Sequence, residues 1–296
     1  MHISEILKKN RISFSFEFFP PKDQHASNLL FTSISELIPL EPAYVSVTYG
    51  AGGSTQELTH DLVMRLQNET KLTVVSHLTC IGASKEKIHA ILSDYDKNCI
   101  SNIMVLRGDP PKGSVSPVHH PDGFKHAAEL VAFIKKHFPH MGIGVAGFPE
   151  GHPETPNRLT EIDYLKAKVD EGADYICTQL FFDNRDFYDF CERCQIAGIK
   201  IPILAGIMPI ATRKGMTRMA DLALGTRYPA PLLRALHRAE TDEHFEKVGI
   251  HWATEQVRDL IDNGVKGIHF YTLNKSKATL QIYDSLGVTN SSGLTR

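Results

Sequence analysis

The chain has 296 residues, of which 42% are hydrophobic, and its 32 Lys and Arg against 34 Asp and Glu give a formal net charge of −2 at pH 7. A chain of this length can bury a large core as one α/β domain or two smaller ones. Its slightly negative charge provides no basic field for nucleic acid or an anionic membrane, so the composition favours a small-molecule partner. The N-terminus opens a short amphipathic segment rather than a signal peptide, and no run approaches the roughly 18 apolar residues of a membrane span. We therefore expect a cytoplasmic protein.

Short apolar, β-branched segments alternate with helical patterns along the whole chain. The predicted strands are residues 12–18, 43–49, 72–78, 102–106, 142–148, 174–180, 201–207 and 267–273. Helical patterns between them include residues 55–70, 85–98, 125–137, 159–172 and 185–198. Near-continuously apolar strands, each followed by a helix, are typical of a parallel sheet that is covered on both faces. We predict a (β/α)8 TIM barrel; the alternative is an open, doubly wound sheet.

The segment from 213 to 263 is longer than one crossover needs. It carries helical patterns at 216–224, 232–240 and 245–261, which predict extra helices before the last strand. The tail from about residue 287 is polar, and we expect it to be frayed. No internal linker is evident, so residues 1–296 are predicted to form a single catalytic barrel domain.

Two short motifs match functional patterns but fit their context poorly. Cys191 and Cys194 have the spacing of a redox or zinc half-site, yet they fall within a helical apolar pattern and no second close pair of thiols completes four ligands. Gly142, Gly144 and Gly147 match a dinucleotide-binding fingerprint, but they occupy a predicted strand that ends at a proline rather than in a helix. Core-facing cysteines are the better interpretation of the pair, the glycines are not expected to bind a pyrophosphate, and no metal site is expected.

Glu17 is the most informative single residue. It lies in the apolar run 14–19 and is followed at once by Pro20 and Pro21, which cannot continue a strand, so it is placed at the C-terminal end of the first strand. Removing a carboxylate from water raises its pKa, as a general acid working near neutral pH requires. The alternative is a paired glutamate at a strand end with a structural role.

Polar residues follow the predicted strands, and in a parallel barrel the loops after the strands build the active site. They include Glu17, Thr48, Ser54, Thr55, His77, Arg107, Asp109, Glu150, His152, Glu154, Thr178, Gln179, Asp183, Tyr271, Asn274 and Lys275. Each one has a structural alternative: His77 could be a core histidine, for example, and Arg107 with Asp109 a surface ion pair. Their joint placement at one rim predicts a ligand site.

Several of these residues lie in strings that resemble the methylenetetrahydrofolate reductase family. The strings are FEFFPPK (16–22), VTYGA (47–51), HLTC (77–80), LRGD (106–109), HPE (152–154), TQ (178–179) and FYTLN (270–274). They occur in that family's order and spacing from Ile12 to Lys275, which is nearly the whole chain. Such extent is more specific than any single motif.

The resemblance implies noncovalent FAD at the C-terminal rim and a ping-pong reduction of 5,10-methylenetetrahydrofolate to 5-methyltetrahydrofolate with NADH or NADPH, which supplies methyl groups for methionine synthesis. It implies catalytic roles for Glu17, as the general acid, and for Asp109, near the pterin. The residues it implies for FAD are Thr48, His77, Leu106, Arg107, Gly108, Asp109, Ala127, Ala146, Phe148, His152 and Lys168. Those it implies for the folate or nicotinamide are Glu17, Thr48, Asp109, Gln179, Tyr271, Leu273 and Lys275. The family also implies a homo-oligomer, either a dimer or a tetramer.

The chain departs from the family pattern at a few positions. Lys275 stands where arginine is usual and Phe148 where tyrosine is frequent, while Met219 lies near the place of an aromatic lid residue. Two rival classes of function remain open. One is a flavin-dependent dehydrogenase of the proline oxidase type; the other is a pterin-binding methyltransferase or a non-catalytic flavin-binding protein.

Overall fold

The computed structural model describes residues 1–49, 56–108, 119–223 and 225–294. Within these residues eight parallel strands form a closed barrel in chain order, and the last strand pairs with the first. The strands are β1 (Ser13–Phe18), β2 (Tyr44–Val47), β3 (Val74–Thr79), β4 (Asn102–Leu106), β5 (Gly142–Gly147), β6 (Tyr175–Thr178), β7 (Ile203–Ile207) and β8 (Gly267–Tyr271). The predicted TIM barrel is confirmed, and the open doubly wound sheet is excluded.

Helices cover the outside of the barrel and close one of its ends. They are α1 (Ile3–Lys9), α2 (Gln24–Leu37), α3 (Gln56–Glu69), α4 (Lys85–Lys97), α5 (Ala127–His137), α6 (Arg158–Asp170), α7 (Asn184–Ile196), α8 (Arg213–Leu222), α9 (Ala230–His237), α10 (Asp242–Asp262), α11 (Lys277–Ser285) and α12 (Ser291–Leu294). The extra helices predicted before the last strand are α8, α9 and α10. None of the helices in the described part of the chain has the length and apolar character needed to cross a membrane.

The first strand shows how the sequence pattern positions the site. Phe14, Phe16 and Phe18 are almost completely buried in the layer between the barrel and its helices. Because successive side chains of a strand point to opposite faces, Ser15 and Glu17 point into the barrel. Burying each phenylalanine contributes about 1.5–3 kcal/mol, so a one-residue register shift that exposed them would be costly. The apolar face of β1 therefore fixes Glu17 in the interior.

Helix α1 closes the N-terminal end of the barrel. Ile3 and Ile6 are buried in one cluster with the inward-facing residues Met104 and Tyr175. Asn102, at the start of β4, accepts a hydrogen bond from the backbone N–H of Ile3 (2.8 Å) and donates one to the carbonyl of residue 1 (2.9 Å). With this end filled, the C-terminal rim is where the barrel interior can receive a ligand.

The glycines of β5 are explained by close packing. A Cβ atom at Gly144 would lie 2.4 Å from the Tyr175 ring, and one at Gly147 would lie 2.7 Å from both Ile176 and Phe190. Neither distance is tolerable for a side chain. The fingerprint-like spacing thus makes room for aromatic and aliphatic side chains inside and outside the barrel.

The cysteine pair lies in α7, where Cys194 is fully buried and Cys191 is partly buried. Burial raises the pKa of each thiol to about 12, so both are protonated near neutral pH. In the described part of the chain, no group of three His, Cys, Asp or Glu side chains could hold a metal ion. The pair therefore behaves as core-facing side chains of the helix.

The C-terminal end corrects one expectation. Residues from about 287 were expected to be frayed, but residues 291–294 form helix α12. The Ser291 hydroxyl donates to the carbonyl of Leu40 (2.7 Å) and lies 3.0 Å from the Tyr283 hydroxyl, while Leu294 is buried. The polar composition of this segment hid the fact that one serine satisfies a buried backbone carbonyl.

Candidate active site

Glu17 lies at the C-terminal end of β1, and its carboxyl group is enclosed by two histidines from other strands. Its side chain is 18% exposed. The Oε2 atom lies 3.5 Å from Nε2 of His77 on β3 and 3.4 Å from Nε2 of His269 on β8. The hydroxyl of Thr272 donates to the Glu17 backbone carbonyl at 2.6 Å, which fixes the strand end. The carboxyl thus faces two imidazoles at the barrel mouth.

His269 is held on several sides and is only 1% exposed. Its Nδ1 atom lies 2.7 Å from the hydroxyl of Ser15, and its Nε2 atom lies 3.3 Å from the hydroxyl of Ser46. The imidazole stacks on the ring of Tyr44 with centroids 5.9 Å apart and an interplanar angle of 15°. These contacts keep the His269 ring in one orientation with Nε2 towards Glu17.

The Ser15–His269 pair can accommodate both protonation states of Glu17, because a neutral imidazole has one donor and one acceptor nitrogen. When Glu17 is ionised, Nε2–H can donate to the carboxylate while the Ser15 hydroxyl donates to Nδ1. When Glu17 is protonated, its O–H can donate to Nε2, Nδ1–H can donate to Ser15, and the Ser15 hydroxyl can turn to the carbonyl of Ile268, 3.5 Å away. A change of tautomer at His269 therefore matches a change of charge at Glu17.

His77 is a buried neutral histidine. Burial disfavours the imidazolium and lowers the pKa of His77 to about 4; His269 adds to this shift and the charge of Glu17 opposes it. Its Nε2 atom has no well-formed hydrogen bond within the described part of the chain, and neither does the buried hydroxyl of Thr79 on the same strand. Buried polar atoms of this kind are uncommon and call for a partner such as a ligand.

A cationic group lies further around the rim, at β5 and α6. The Lys168 ammonium donates to the carbonyl of Ala146 (2.7 Å). Burial lowers the pKa of Lys168 to about 8, and the nearby carboxylate of Glu161 opposes the shift. Glu161 is itself buried and accepts a hydrogen bond from the hydroxyl of Thr155 (2.8 Å). Lys168 is therefore a cation held close to its titration point.

A second cation, Arg107, follows β4 and pairs with Glu154 from the loop after β5 at 2.5 Å. This hydrogen bond lowers the pKa of Glu154. The next residue, Gly108, has a φ of +94°, and a Cβ there would lie 3.0 Å from Cβ of Thr79, so a side chain would be strained. The two residues after β4 thus place the Arg107 guanidinium and the backbone of Gly108 at the rim of the barrel.

The remaining sequence-predicted residues are spread around the same rim. Phe148 makes an edge contact with the His152 ring at 4.8 Å, and it lines a small cavity with Gln179. The Tyr271 hydroxyl donates to the carbonyl of Thr178 (2.6 Å). Thr48 directly follows β2, Leu106 ends β4, and Ala127 begins α5. Leu273 has a φ of +52° and is exposed, as is Lys275. Asp109 lies outside the described residues, as do Ser54 and Thr55.

Sequence reasoning missed His269 and its partner Ser15. A histidine in the apolar strand GIHFY is expected to be a core residue. Only the strand register, which places Ser15 of β1 beside His269 of β8, shows that the histidine lies near Glu17. The alternation of inward and outward side chains along β8 could have identified His269. The inward positions of this strand are 267, 269 and 271, so His269 and Tyr271 point into the barrel as Glu17 does on β1.

Fold and site together define a (β/α)8 barrel with a carboxylate–histidine centre, formed by Glu17, His77 and His269, at its C-terminal rim. The family model described as methylenetetrahydrofolate reductase matches residues 2–287, and the chain belongs to that family. The suspected resemblance is thereby confirmed.

Individual relatives agree with this assignment. The chain is 40% identical over 305 residues to "Methylenetetrahydrofolate reductase (NADH) 1" of Arabidopsis thaliana, covering 99% of this chain and 51% of the relative. It is 37% identical over 281 residues to 5,10-methylenetetrahydrofolate reductase of Escherichia coli K12, covering 95% of this chain and 92% of the relative. The chain thus spans about half the length of the plant relatives and nearly all of the bacterial one.

Among solved structures, similar folds occur at low sequence identity. An uncharacterised protein from Clostridium thermocellum, described as binding two copies of 5-methyl-5,6,7,8-tetrahydrofolic acid, has a TM-score of 0.68 at 12% identity and covers 97% of this chain and 99% of its own. A phosphonopyruvate hydrolase complex with oxalate and Mg has a TM-score of 0.53 at 11% identity and covers 96% and 84%. These likenesses support the barrel fold.

Proposed function

We propose that this protein is an enzyme that reduces 5,10-methylenetetrahydrofolate to 5-methyltetrahydrofolate, with FAD as cofactor and NADH or NADPH as donor in a ping-pong reaction. The observation that carries the proposal is the Glu17 carboxyl at the barrel mouth, enclosed by two histidines in a chain of this family. The Clostridium thermocellum protein of the same fold binds a reduced folate, which supports the barrel as a folate scaffold. The product would supply methyl groups for methionine synthesis.

The residues at the rim fit FAD. Nε2 of His77 and the hydroxyl of Thr79 make no hydrogen bond among the described residues and offer buried polar atoms to a ligand. Lys168 and Arg107 offer cations to its phosphates. Gly108 allows close backbone approach. Bound FAD would accept a hydride from the nicotinamide and deliver it to the folate. We assign its binding to Thr48, His77, Leu106, Arg107, Gly108, Asp109, Ala127, Ala146, Phe148, His152 and Lys168.

Glu17 has the central chemical role. A protonated Glu17 can donate to a nitrogen of the folate's five-membered ring, which opens to a cationic iminium that is ready for reduction. His269 then orients the resulting carboxylate and stabilises it by donating from Nε2. Residues of the rim would bind the substrates: Thr48, Asp109, Gln179, Tyr271, Leu273 and Lys275. Asp109 would place a negative charge near the cationic intermediate.

One cuvette experiment tests the function. Purified protein reconstituted with FAD should be yellow, should bleach under anaerobic conditions with NADH or NADPH, and should regain its colour when 5,10-methylenetetrahydrofolate is added. Bleaching by an amino acid instead would favour the proline oxidase type, and protein that takes up no FAD but binds a folate would favour a methyltransferase. Titration with each nicotinamide separately shows which donor is preferred. A cytoplasmic location and self-association as a dimer or tetramer stay predictions.

A further inference from the structure

A groove lies between helices α8, α9 and α10, away from the carboxylate–histidine centre. Its volume is about 590 Å³. Its lining residues are Arg213, Met216, Leu233, Arg234, Leu236, His237, Arg238 and Phe245. None of them belongs to the proposed folate and flavin site.

The lining of the groove carries positive charge in a chain whose net charge is −2. Its described residues include three arginines, Arg213, Arg234 and Arg238, and no acidic residue. Arg213 already has partners: its guanidinium lies 3.6 Å from Asp242 and stacks 4.5 Å above the ring of Phe245. Its role is structural, since it ties α8 to the start of α10.

The two other arginines of the groove and His237 have no such partners in the described part of the chain. Within the described ranges, the side chains of Arg234, His237 and Arg238 make no hydrogen bond or ion pair, and all three are exposed. Arg213 and Lys247, by contrast, each lie within ion-pair distance of a carboxylate, that of Asp242 and that of Glu243. Three unpaired cationic or titratable side chains at one groove create a site that attracts an anion with more than one negative charge.

The floor of the groove is apolar. Leu236 and Phe245 are each 3% exposed and form the base, while Leu233 is 43% exposed beside them. A ligand with an apolar or aromatic body would remove the Leu233 side chain from water, at about 25 cal/mol per Å² of apolar surface. Apolar walls with a few convergent polar groups and this volume are typical of sites for single small molecules.

We propose that this groove binds a nucleoside polyphosphate, with the phosphates on Arg234, His237 and Arg238 and the base against Leu233 and Met216. The planar fork of arginine matches phosphate oxygens in two parallel hydrogen bonds. A simple monocarboxylic acid would match only one of the two arginines. The site goes beyond the proposed reduction of folate and lies outside its catalytic centre.

The test uses the full chain reconstituted with FAD, and calorimetric titration with ATP. We expect saturable binding that weakens at least tenfold in the double variant Arg234→Glu/Arg238→Glu. The matched control is Arg11→Glu/Lys266→Glu, which reverses two exposed cations at the other end of the barrel and should leave the affinity unchanged. Because all four positions are exposed, the variants should fold, and their flavin absorbance and melting temperature verify this.

Two further titrations test separately whether the base contributes to binding and whether the groove is distinct from the nicotinamide site. Leu233→Ser should weaken binding of ATP but not of tripolyphosphate, and adenosine should bind more weakly than ATP. Equal affinities for tripolyphosphate and ATP would overturn the nucleoside part. Because ATP resembles part of a nicotinamide dinucleotide, the titration is repeated with saturating NADH under anaerobic conditions. ATP binding that NADH abolishes, or that survives the groove double variant, would overturn the proposal while leaving the proposed reductase activity intact.

Discussion

At the scale of single residues, the proposed chemistry depends on Glu17 having its proton where the folate binds. We expect Glu17→Gln to leave reduction of the flavin by NADH or NADPH within about twofold of wild type. Oxidation of the reduced flavin by the folate should slow by about 10²–10⁴-fold, because the amide keeps the shape of the site but cannot supply the proton. Stopped-flow absorbance measures the two half-reactions separately. Equal losses in both would show that Glu17 has a structural role only.

His269 should act through Glu17. We expect His269→Asn to slow the folate half-reaction by about tenfold or more and to shift the pH dependence of that step, because the partner of both protonation states is lost. In the background of Glu17→Gln the same substitution should have little further effect, since residues that act as a unit are not additive.

The matched control for His269 is Tyr44→Phe. This change removes one buried hydroxyl but keeps the ring that stacks on His269, so it tests for a general disturbance of the barrel interior. Full additivity of His269→Asn with Glu17→Gln would separate the histidine from the acid.

Lys168 predicts a pH dependence of cofactor binding. Because burial lowers the pKa of Lys168 to about 8, it is charged at pH 7 and loses its charge as the pH rises through 8. An anionic cofactor phosphate should then lose a partner, and the Kd for FAD should rise by about tenfold between pH 7 and pH 9. Quenching of flavin fluorescence measures the Kd. Lys168→Met should weaken binding at pH 7 and flatten the profile; a variant with the wild-type profile would remove Lys168 from the cofactor site.

The site residues that could be predicted from the sequence are charged residues that lie in or directly after an apolar strand. Glu17 among phenylalanines and Arg107 at a strand end could be selected in this way. His269 could not, because a buried histidine flanked by Ile268 and Phe270 looks like packing until the strand register is known. Tyr44 was hidden for the same reason. Partners from distant strands are properties of the closed barrel, and a linear pattern does not contain them.

At the scale of elements, close packing in β5 gives a direct test of why its glycines are there. Gly144→Ala should destabilise the protein by about 1–3 kcal/mol, because its Cβ would overlap the Tyr175 ring. Combined with Tyr175→Leu, which removes the overlapping atoms, the penalty of the alanine should largely disappear. Urea denaturation of both single variants and the double variant measures this coupling. An unchanged penalty in the double variant would place the strain elsewhere.

The ends of the predicted strands and helices agree with the structure to within about three residues, and the differences have local causes. The strand predicted at 174–180 ends at Thr178 in the structure, since its side chain accepts the N–H of Gly206 and its carbonyl accepts the Tyr271 hydroxyl. At this position, hydrogen bonds that involve the side chains of Thr178 and Tyr271 take the place of the backbone hydrogen bonds between neighbouring strands. Helix α12 was not predicted, because four residues are too few to show a period. Alternation thus predicts the regular core of an element, and side-chain hydrogen bonds decide where it ends.

At the scale of the whole molecule, the site imposes a cost on stability in acid. The pKa of His77 is lowered from 6.5 to about 4 in the folded state, mainly by burial. Between these values the unfolded chain binds more protons than the folded one, so the free energy of unfolding falls as the pH falls from about 6.5 to 4. The contribution of this one residue is at most about 3 kcal/mol, at 1.36 kcal/mol per pKa unit.

Replacing His77 should therefore reduce the acid sensitivity of the whole protein. We expect His77→Gln to lose less stability than wild type between pH 6.5 and pH 4.5 in urea denaturation, even if it is less stable at pH 7. His251→Gln, at an exposed position on α10, is the control and should keep the wild-type slope. If His77→Gln also kept the wild-type slope, a group other than His77 would be responsible for the loss of stability in acid.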